Sequence, residues 1–427
     1  MEKNKSFKER FYPYIVWFVA SLVYVIVFFH RVSTGVVREE VLRDFGLLNS
    51  SEGGSLFALL ASMYFYAYTF MQVPTGVLAD TLGPRKTITF GSLLAAIGAF
   101  IFSSGNTIAY ALVGRFIVGI GVAVVFVSIL KIIADYFPKE MFATMSGVTG
   151  FVGNMGAVLA MTPLAILTGY VGWRSSFRII ATASLVLAVL CFVLVKDKKS
   201  INNNAKQSSE KIKIGKTIAI ILKNKRIYTP MIAYALTFGS CMALTGSWGI
   251  TLLIDVCGVT KETAANNMAI VSIGVAIGCA FIGKISDMMG SRKKPMLLFA
   301  VMQAICWIVF ILTLGKLPLV VLNILFFAIG FTNPSFVISW AYAKEQNDPK
   351  YSGIAMSVMN FAGFLGAALI PQAVGIIYDN VAKDNLLLLW QYATGFLTIC
   401  IIISAVCMFV VKEEKKQPVT DKVSLKA

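Results

Sequence analysis

The chain has 427 residues, of which 57% are hydrophobic and only 14% are charged, and its mean hydropathy is +0.77. A soluble protein would carry about a quarter charged residues, so this composition excludes an ordinary globular protein and indicates an all-α membrane protein. The formal net charge of +17 is concentrated in the two tails, the middle of the chain and two short loops, which indicates membrane topology rather than a nucleic-acid-binding surface.

Long apolar runs predict twelve membrane-spanning helices, six in each half of the chain. The first six lie near 13–37, 55–79, 87–104, 108–136, 142–170 and 175–195. The last six lie near 227–254, 263–284, 296–315, 318–343, 352–378 and 386–411. An even number of spans puts both tails on one side, and their lysines make that side cytoplasmic. We therefore expect a multi-pass protein of the cytoplasmic (inner) membrane.

The same pattern divides the chain into domains. We expect an N-terminal six-helix bundle over residues 1–195 and a C-terminal bundle over 227–411. A basic, polar linker over 196–226 joins them, and a cytoplasmic tail follows over 412–427. Apolar residues at Ile218–Leu222 predict a short amphipathic helix at the end of the linker.

Span one carries two polar residues well inside the membrane, His30 and Arg31. A charge at the depth of Arg31 is expensive unless it faces a wet cavity or a partner, so we expect Arg31 to bind a substrate anion. Snorkelling and a structural ion pair are the alternatives. His30 is the only histidine and is the candidate for proton coupling, because no Asp or Glu lies near the middle of any span. It lies about 100° around the helix from Arg31, however, and protonation beside that charge is disfavoured.

The short loop after span two recurs after span eight. Residues 76–86 and 283–293 share a glycine, an aspartate four positions on, a second glycine three later and an arginine two after that. The repeat distance of 207 residues is about half the chain, which indicates two related halves.

Each repeated loop offers a carboxylate and an arginine at the end of a span: Asp80 with Arg85, and Asp287 with Arg292. The carboxylate can pair with its arginine or cap a helix N-terminus, so we predict a gate latch at the cytoplasmic face that forms when that side closes. The alternative is a loop that only sets topology. Because the turns differ in sequence, we expect unequal contributions, with Asp80 the more important.

Two basic residues occur in span four, Arg115 and Lys131. They are sixteen residues apart, so they point to nearly opposite faces of a straight helix. Lys131 either faces the cavity or snorkels to the cytoplasmic surface. Arg115 is expected to stabilise the N-terminal bundle or to couple to substrate on the outer side, and we group it with the gating residues Asp80, Arg85, Asp287 and Arg292.

Aromatic and amide side chains recur at helical spacing along several spans. Such stripes face lipid, other helices or a cavity, and their polar members favour the cavity. The candidate substrate-binding residues are Arg31, Lys131, Tyr24, Tyr64, Tyr68, Asn154, Trp248, Trp340 and Asn360. The seven cysteines show no CxxC spacing, so we expect neither a metal site nor a cofactor.

In their order and duplication these motifs resemble the major facilitator superfamily over nearly the whole chain. The repeated loops carry the resemblance, together with Gly114-Arg115 in span four, the glycines at 147, 150, 153 and 156 in span five, and Gly172-Trp173-Arg174 before span six. The resemblance implies two six-helix bundles around a central cavity that opens alternately to each side. Residues 28–33 and 130–138 are similar to bacterial carriers of sugar phosphates, organic anions and amino acids, but span seven lacks the arginine of phosphate-ester permeases.

We therefore predict a secondary active transporter of a small organic solute that carries a carboxylate or phosphate, anionic or zwitterionic. Its partners would be that solute, the lipid bilayer and a coupling proton, with a monomer as the working unit. Drug or metabolite efflux, with Arg31 structural, is one alternative, and a transporter-like solute receptor is another. An enzyme is not expected, because the sequence offers no nucleophile–base set and no metal cluster.

Overall fold

The structure is a computed structural model that describes residues 7–138, 141–197, 214–348, 351–381 and 384–412, and every long element in these ranges is a helix. The helices of the first half are α1 Phe7–Val32, α2 Arg38–Asp44, α3 Gly53–Ser104, α4 Ile108–Ala123, α5 Val125–Tyr136, α6 Phe142–Leu159 and α7 Thr162–Leu194. The later helices are α8 Ile214–Lys223, α9 Tyr228–Met242, α10 Gly249–Cys257, α11 Lys261–Met288, α12 Lys293–Leu312, α13 Leu319–Thr332, α14 Ser335–Glu345, α15 Ser352–Asn380 and α16 Leu386–Val410.

Eleven of the described segments are long and apolar enough to cross a membrane. The remaining predicted span, the fifth, consists of α6 and the first part of α7, which bends at Gly172. Large apolar side chains such as Phe70 and Leu312 are exposed on the outside of these helices, where lipid replaces water. The protein therefore has the twelve transmembrane helices in two six-helix bundles that the sequence predicts.

The first repeated loop is shorter than expected. α3 runs through residues 76–86, and only Gly83 leaves the helical conformation, with φ of 80°. A positive φ is accessible to glycine, and Pro84 then suits the first turn of the next helical segment. In the second copy Gly290, with φ of 57°, separates α11 from α12 in the same way.

Spans one and seven lose regular α-helical geometry at the same depth. α1 continues into a 3-10 turn, Ser33–Val37, and α9 continues into a π-helical turn, Ala243–Trp248. The two turns touch, since a Cβ atom added to Gly35 would lie 3.1 Å from the backbone carbonyl of Gly246. Glycine at position 35 therefore lets the two backbones meet.

One end of the bundle holds hydrogen bonds and an ion pair between the two halves, and we call it the distal end because it lies opposite the first residue of α1. Asp379, near the end of α15, accepts hydrogen bonds from the backbone N–H groups of Gly54 (2.8 Å) and Ser55 (2.7 Å) at the start of α3. Lys261 forms an ion pair with Glu40 across the same boundary. A helix N-terminus carries partial positive charge, so the Asp379 carboxylate is a favourable cap.

The opposite end, which holds the start of α1 and the end of α16, is called the terminal end. In the part of the chain that the structure describes, α5 and α14 there make no extended contact with the other half. The structure is thus closed at the distal end.

The predicted amphipathic linker helix is present as α8, which buries Ile221 and exposes Ile220. Residues 198–213 of the predicted linker and 413–427 of the predicted tail lie outside the described residues. The domain boundaries of the sequence analysis stay predictions.

Candidate functional site

Arg31 lies at the contact between the two halves, as the last turn of α1 reaches the middle of the bundle. Its side chain is 8% exposed, and its guanidinium carbon lies 4.2 Å from the ring centre of Phe28 and 5.4 Å from that of Phe364. Phe364 belongs to α15, so the rings around Arg31 come from both halves. Aromatic faces attract a cation, but they do not neutralise its charge.

The three tyrosines of the predicted site surround the same guanidinium. The Tyr68 ring centre is 5.8 Å from the Arg31 guanidinium carbon, and Tyr64 and Tyr24 also act on Arg31 electrostatically. The Tyr64 hydroxyl donates to the backbone carbonyl of Val27 at 3.1 Å. Four of the predicted site residues are therefore brought together.

A chain of amide and hydroxyl groups crosses between the halves next to this cluster. The Tyr234 hydroxyl donates to Asn360 Oδ1 at 3.1 Å, and Asn360 Nδ2 donates to Gln72 Oε1 at 2.6 Å. Gln72 Nε2 reaches the backbone carbonyl of Tyr68 at 3.3 Å. Arg31, Tyr68, Phe364, Gln72, Asn360 and Tyr234 are named the central cluster below.

Of two other predicted site residues, Trp340 lies beside the central cluster, whereas Asn154 lies on α6, which contributes no residue to it. Trp340 packs against Tyr234, with ring centres 6.2 Å apart, and its buried indole Nε1 has no hydrogen-bond partner. Asn154 donates to the carbonyl of Gly150 in its own helix at 2.9 Å. Trp340 thus lies beside the Tyr234 end of the central cluster, whereas the Asn154 amide nitrogen is bonded within its own helix.

Lys131 and Trp248 lie elsewhere. Lys131 Nζ donates to the carbonyl of Ala79 at 3.0 Å, near the terminal end. The Trp248 indole donates to the carbonyl of Pro371 at 3.0 Å, and its ring contacts Arg38 near the distal end. The structure therefore separates these two residues from the arginine with which the sequence analysis grouped them.

His30 faces away from the central cluster, as the helical geometry predicts. It is fully buried, both ring nitrogens lack hydrogen-bond partners, and its ring lies 6.4 Å from that of Phe177. Arg115 is its neighbour and donates to the His30 backbone carbonyl at 2.9 Å. Arg115 is 1% exposed and so belongs to the interior of the first bundle.

The predicted latch residues lie at the terminal end. Arg292 binds Asp287 at 2.9 Å and Glu345 at 3.1 Å, which joins α11, α12 and α14 within one half. Arg85 donates to the carbonyl of Phe192 at 2.8 Å, and its backbone N–H donates to Asp197. The Asp80 side chain lies outside the described part of the structure. The Asp287–Arg292 pair that the sequence predicted is present at the terminal end. The pair was expected to form when that end closes, whereas the closed end in this structure is the distal one.

Three arginines of the first half, Arg31, Arg38 and Arg115, are buried. Within the described ranges none of them has a carboxylate at ion-pair distance. A buried cation without a counter-ion is costly, so the region between the halves is electrostatically suited to an anion that arrives from outside the protein.

Four residues close to the buried arginines are absent from the predicted site residues: Arg38, Gln72, Phe364 and Tyr234. The available signals were the heptad between Arg31 and Arg38 and the spacing of Tyr64, Tyr68 and Gln72 along one face of span two. Arg38 was missed because span one was taken to end at residue 37, whereas the 3-10 turn carries the chain on into buried surroundings.

Comparison with known proteins identifies the class. The family model of the Major Facilitator Superfamily matches residues 16–371. A probable galactarate/D-glucarate transporter of Bacillus subtilis is 22% identical, with 94% of this chain and 95% of that protein covered. A probable nitrate transporter of Staphylococcus epidermidis is also 22% identical, over 81% and 84% of the two chains.

Solved structures agree on the fold. The crystal structure of a D-xylose–proton symporter superposes with a TM-score of 0.76 at 15% sequence identity and covers 95% of this chain and 99% of its own. The chain belongs to the Major Facilitator Superfamily. It is a multi-pass membrane transporter of small molecules and not an enzyme.

Proposed function

We propose that this protein carries a small hydroxylated organic acid across the cytoplasmic membrane by alternating access. The observation that carries the proposal is Arg31, a buried cation between the two halves with aromatic rings on several sides and no carboxylate partner among the described residues. A substrate carboxylate would supply the missing negative charge, and the planar guanidinium fork would bind it in a bidentate manner.

The amide and hydroxyl groups of the central cluster suit the rest of such a substrate. Gln72, Asn360 and Tyr234 together offer donors and acceptors, which a chain of substrate hydroxyls would engage in place of their present mutual bonds. Because Gln72 and Asn360 lie on opposite halves, a substrate between them would contact both halves at once. The name of the galactarate/D-glucarate relative supports the same substrate class.

The basic residues of the linker and tails favour a cytoplasmic position for the terminal end, and the closed distal end would then face outward. The Asp379 cap and the Lys261–Glu40 pair would then break when the protein opens to the outside. A single chain supplies both halves and the central cluster between them, and we propose a monomer as the working unit.

A proton is the proposed coupling ion, in line with the name of the xylose symporter. His30 is the candidate carrier because it is the only histidine and its ring nitrogens are unpartnered. Its position beside Arg115 weighs against this role, because a second positive charge would arise next to the first.

Binding to purified protein tests the anion site directly. We expect D-glucarate and D-glucuronate to raise the melting temperature of the wild type in detergent, whereas neutral D-xylose should not. A ligand at 100 times its dissociation constant stabilises by about 2.7 kcal/mol. Arg31→Gln should fold and lose the response to both acids.

Nitrate is tested as well, because one relative is a probable nitrate transporter. Stabilisation by nitrate alone would indicate an inorganic substrate. An Arg31→Gln protein that responds to the acids like the wild type would contradict the proposal.

A further inference from the structure

A second buried arginine, Arg38, lies seven residues after Arg31 at the distal end. It is 7% exposed, and its guanidinium carbon lies 4.8 Å from the ring centre of Tyr378, 5.1 Å from that of Trp248 and 5.5 Å from that of Phe57. Its Nε is buried without a hydrogen-bond acceptor. Asp255 acts on Arg38 only from beyond ion-pair distance, and its carboxylate accepts a hydrogen bond from Trp390 at 2.9 Å. Arg38 is thus a charge covered by rings.

Further buried polar atoms without hydrogen-bond partners lie on the 3-10 turn between Arg31 and Arg38 and on the π-helical turn that faces it. The hydroxyls of Ser33 and Thr34, on the 3-10 turn, are buried without partners, and so is the hydroxyl of Ser247 on the facing π-helical turn. Burying such a group without a hydrogen bond costs about 1–3 kcal/mol. Their position beside two guanidinium groups that lack a carboxylate partner indicates that these atoms find partners in another state of the protein.

The rings that cover Arg38 come from both halves. Phe57 lies on the same half as Arg38, whereas Trp248 and Tyr378 lie on the other half. The Trp248 indole is hydrogen-bonded to Pro371, so Trp248 would move away with its own half. Separation of the halves at the distal end would therefore uncover the Arg38 guanidinium and the hydroxyls of Ser33 and Thr34 together.

We propose that Arg38, with Ser33, Thr34 and Ser247 beside it, forms a second anion site that binds a substrate carboxylate when the distal end is open. The carboxylate then passes inward to Arg31, and the rings of Trp248 and Tyr378 cover Arg38 as the halves close. This inference rests on the transport of organic acids proposed above. Under this proposal Arg38 binds only substrate that arrives from the distal side. Substrate that arrives from the terminal side would meet the central cluster without passing Arg38.

A purely structural role for Arg38 makes a different prediction. If the arginine only clamps the halves through its contacts with Trp248 and Tyr378, its loss changes the balance between the two states of the transporter. That change would alter substrate affinity measured from either side. A capture site would alter the affinity from one side only.

The test compares transport of radiolabelled D-glucarate from each face, in right-side-out and inside-out membrane vesicles that contain the full chain. We expect Arg38→Gln to raise the KM from the distal face about tenfold, because the substitution removes about one charge-assisted hydrogen bond to the substrate. The KM from the terminal face should stay unchanged. Arg43→Gln is the matched control. Arg43 lies five residues on at the same end, is 64% exposed and pairs with Glu39, so both of its KM values should equal those of the wild type.

The outcomes separate this proposal from the function on which it rests. An unchanged distal KM in Arg38→Gln, with transport lost in Arg31→Gln, would overturn the second site and leave the transport function standing. A lower KM from the distal face with a higher KM from the terminal face would assign Arg38 to the clamp, because loss of a clamp favours the state that is open at the distal end. Equal rises on both faces would also overturn the second site. Full transport by Arg31→Gln would overturn the proposed function itself. If Arg38→Gln does not fold, Arg38→Lys replaces it, since lysine keeps the charge over the rings but loses the fork, and a rise confined to the distal face is again expected.

Discussion

At the scale of single residues, positive charge in the first half dominates the electrostatics between the bundles. Arg31, Arg38 and Arg115 are buried and lack acidic partners in the described ranges. Their surroundings differ, however. Rings from both halves cover Arg31 and Arg38, whereas Arg115 is enclosed by the first bundle and bonded to a backbone carbonyl. Only the first two are therefore exposed by movement of the halves.

The repeated aspartates belong to the same scale, and the surroundings of Asp287 favour a small contribution from that residue. Arg292 is held by both Asp287 and Glu345, and the Asp287 side chain is 75% exposed. An exposed ion pair contributes about 0.2–1 kcal/mol, and Glu345 remains when Asp287 is removed. We predict that Asp287→Ala lowers the initial rate of D-glucarate uptake less than Asp80→Ala does, with both variants measured at equal protein levels. Equal losses would refute the inequality.

Arg31 was predictable from the sequence because a charge deep in an apolar run is rare and expensive. The tyrosines were predictable from helical spacing. Asn360 was also among the predicted site residues, but its hydrogen bond with Gln72 joins residues 288 positions apart across the halves, and no local pattern encodes such a meeting. The same limit explains why Lys131 and Trp248, which look equally suitable in sequence, lie away from Arg31.

At the scale of helices, glycine determines how closely the spans pack. Along α6 the sequence offers four glycines at regular spacing, but the structure divides them. A Cβ atom at Gly156 would lie 2.0 Å from the carbonyl oxygen of Val25, and one at Gly153 would lie 2.5 Å from the Tyr24 ring. Gly147 and Gly150 have nothing within 4 Å. Only Gly153 and Gly156 therefore let span five lie directly against span one.

This difference gives a matched pair of substitutions in one helix. Gly156→Ala should destabilise the protein by about 1–3 kcal/mol, because the new methyl group meets backbone that cannot move aside easily. Gly150→Ala should be neutral or stabilise by up to about 1 kcal/mol, because alanine favours the helix. Melting temperatures of the two variants in the same detergent check this. A lower melting temperature for Gly150→Ala than for Gly156→Ala would contradict the packing described here.

Helix boundaries show what local sequence can and cannot predict. The spans themselves followed from apolar length, and the turn at Gly290 agreed with the second predicted loop. The first loop was predicted to be longer than it is, because Gly83 and Pro84 turn the chain between two helical segments without a longer irregular stretch. The 3-10 and π-helical turns of spans one and seven were not predicted, and they meet where Gly35 of one half lies against Gly246 of the other.

At the scale of the whole molecule, the contacts between the halves define one state of a transport cycle. Asp379 caps the start of α3, Lys261 pairs with Glu40, and the aromatic cover of Arg38 lies close to them. These bonds join residues more than 200 positions apart and all lie at the distal end. The sequence predicts two halves and a cavity, but the choice of closed end is a property of the assembled structure.

The central claim is that the protein transports an organic acid by means of Arg31, and uptake by proteoliposomes tests it most directly. Purified wild type and Arg31→Gln are reconstituted at equal density, and accumulation of radiolabelled D-glucarate is followed with and without an imposed pH gradient. We predict uptake by the wild type and loss of most of it in Arg31→Gln, because removal of the only charge in the central cluster leaves the carboxylate without its partner. Uptake by Arg31→Gln at the wild-type rate would contradict the account.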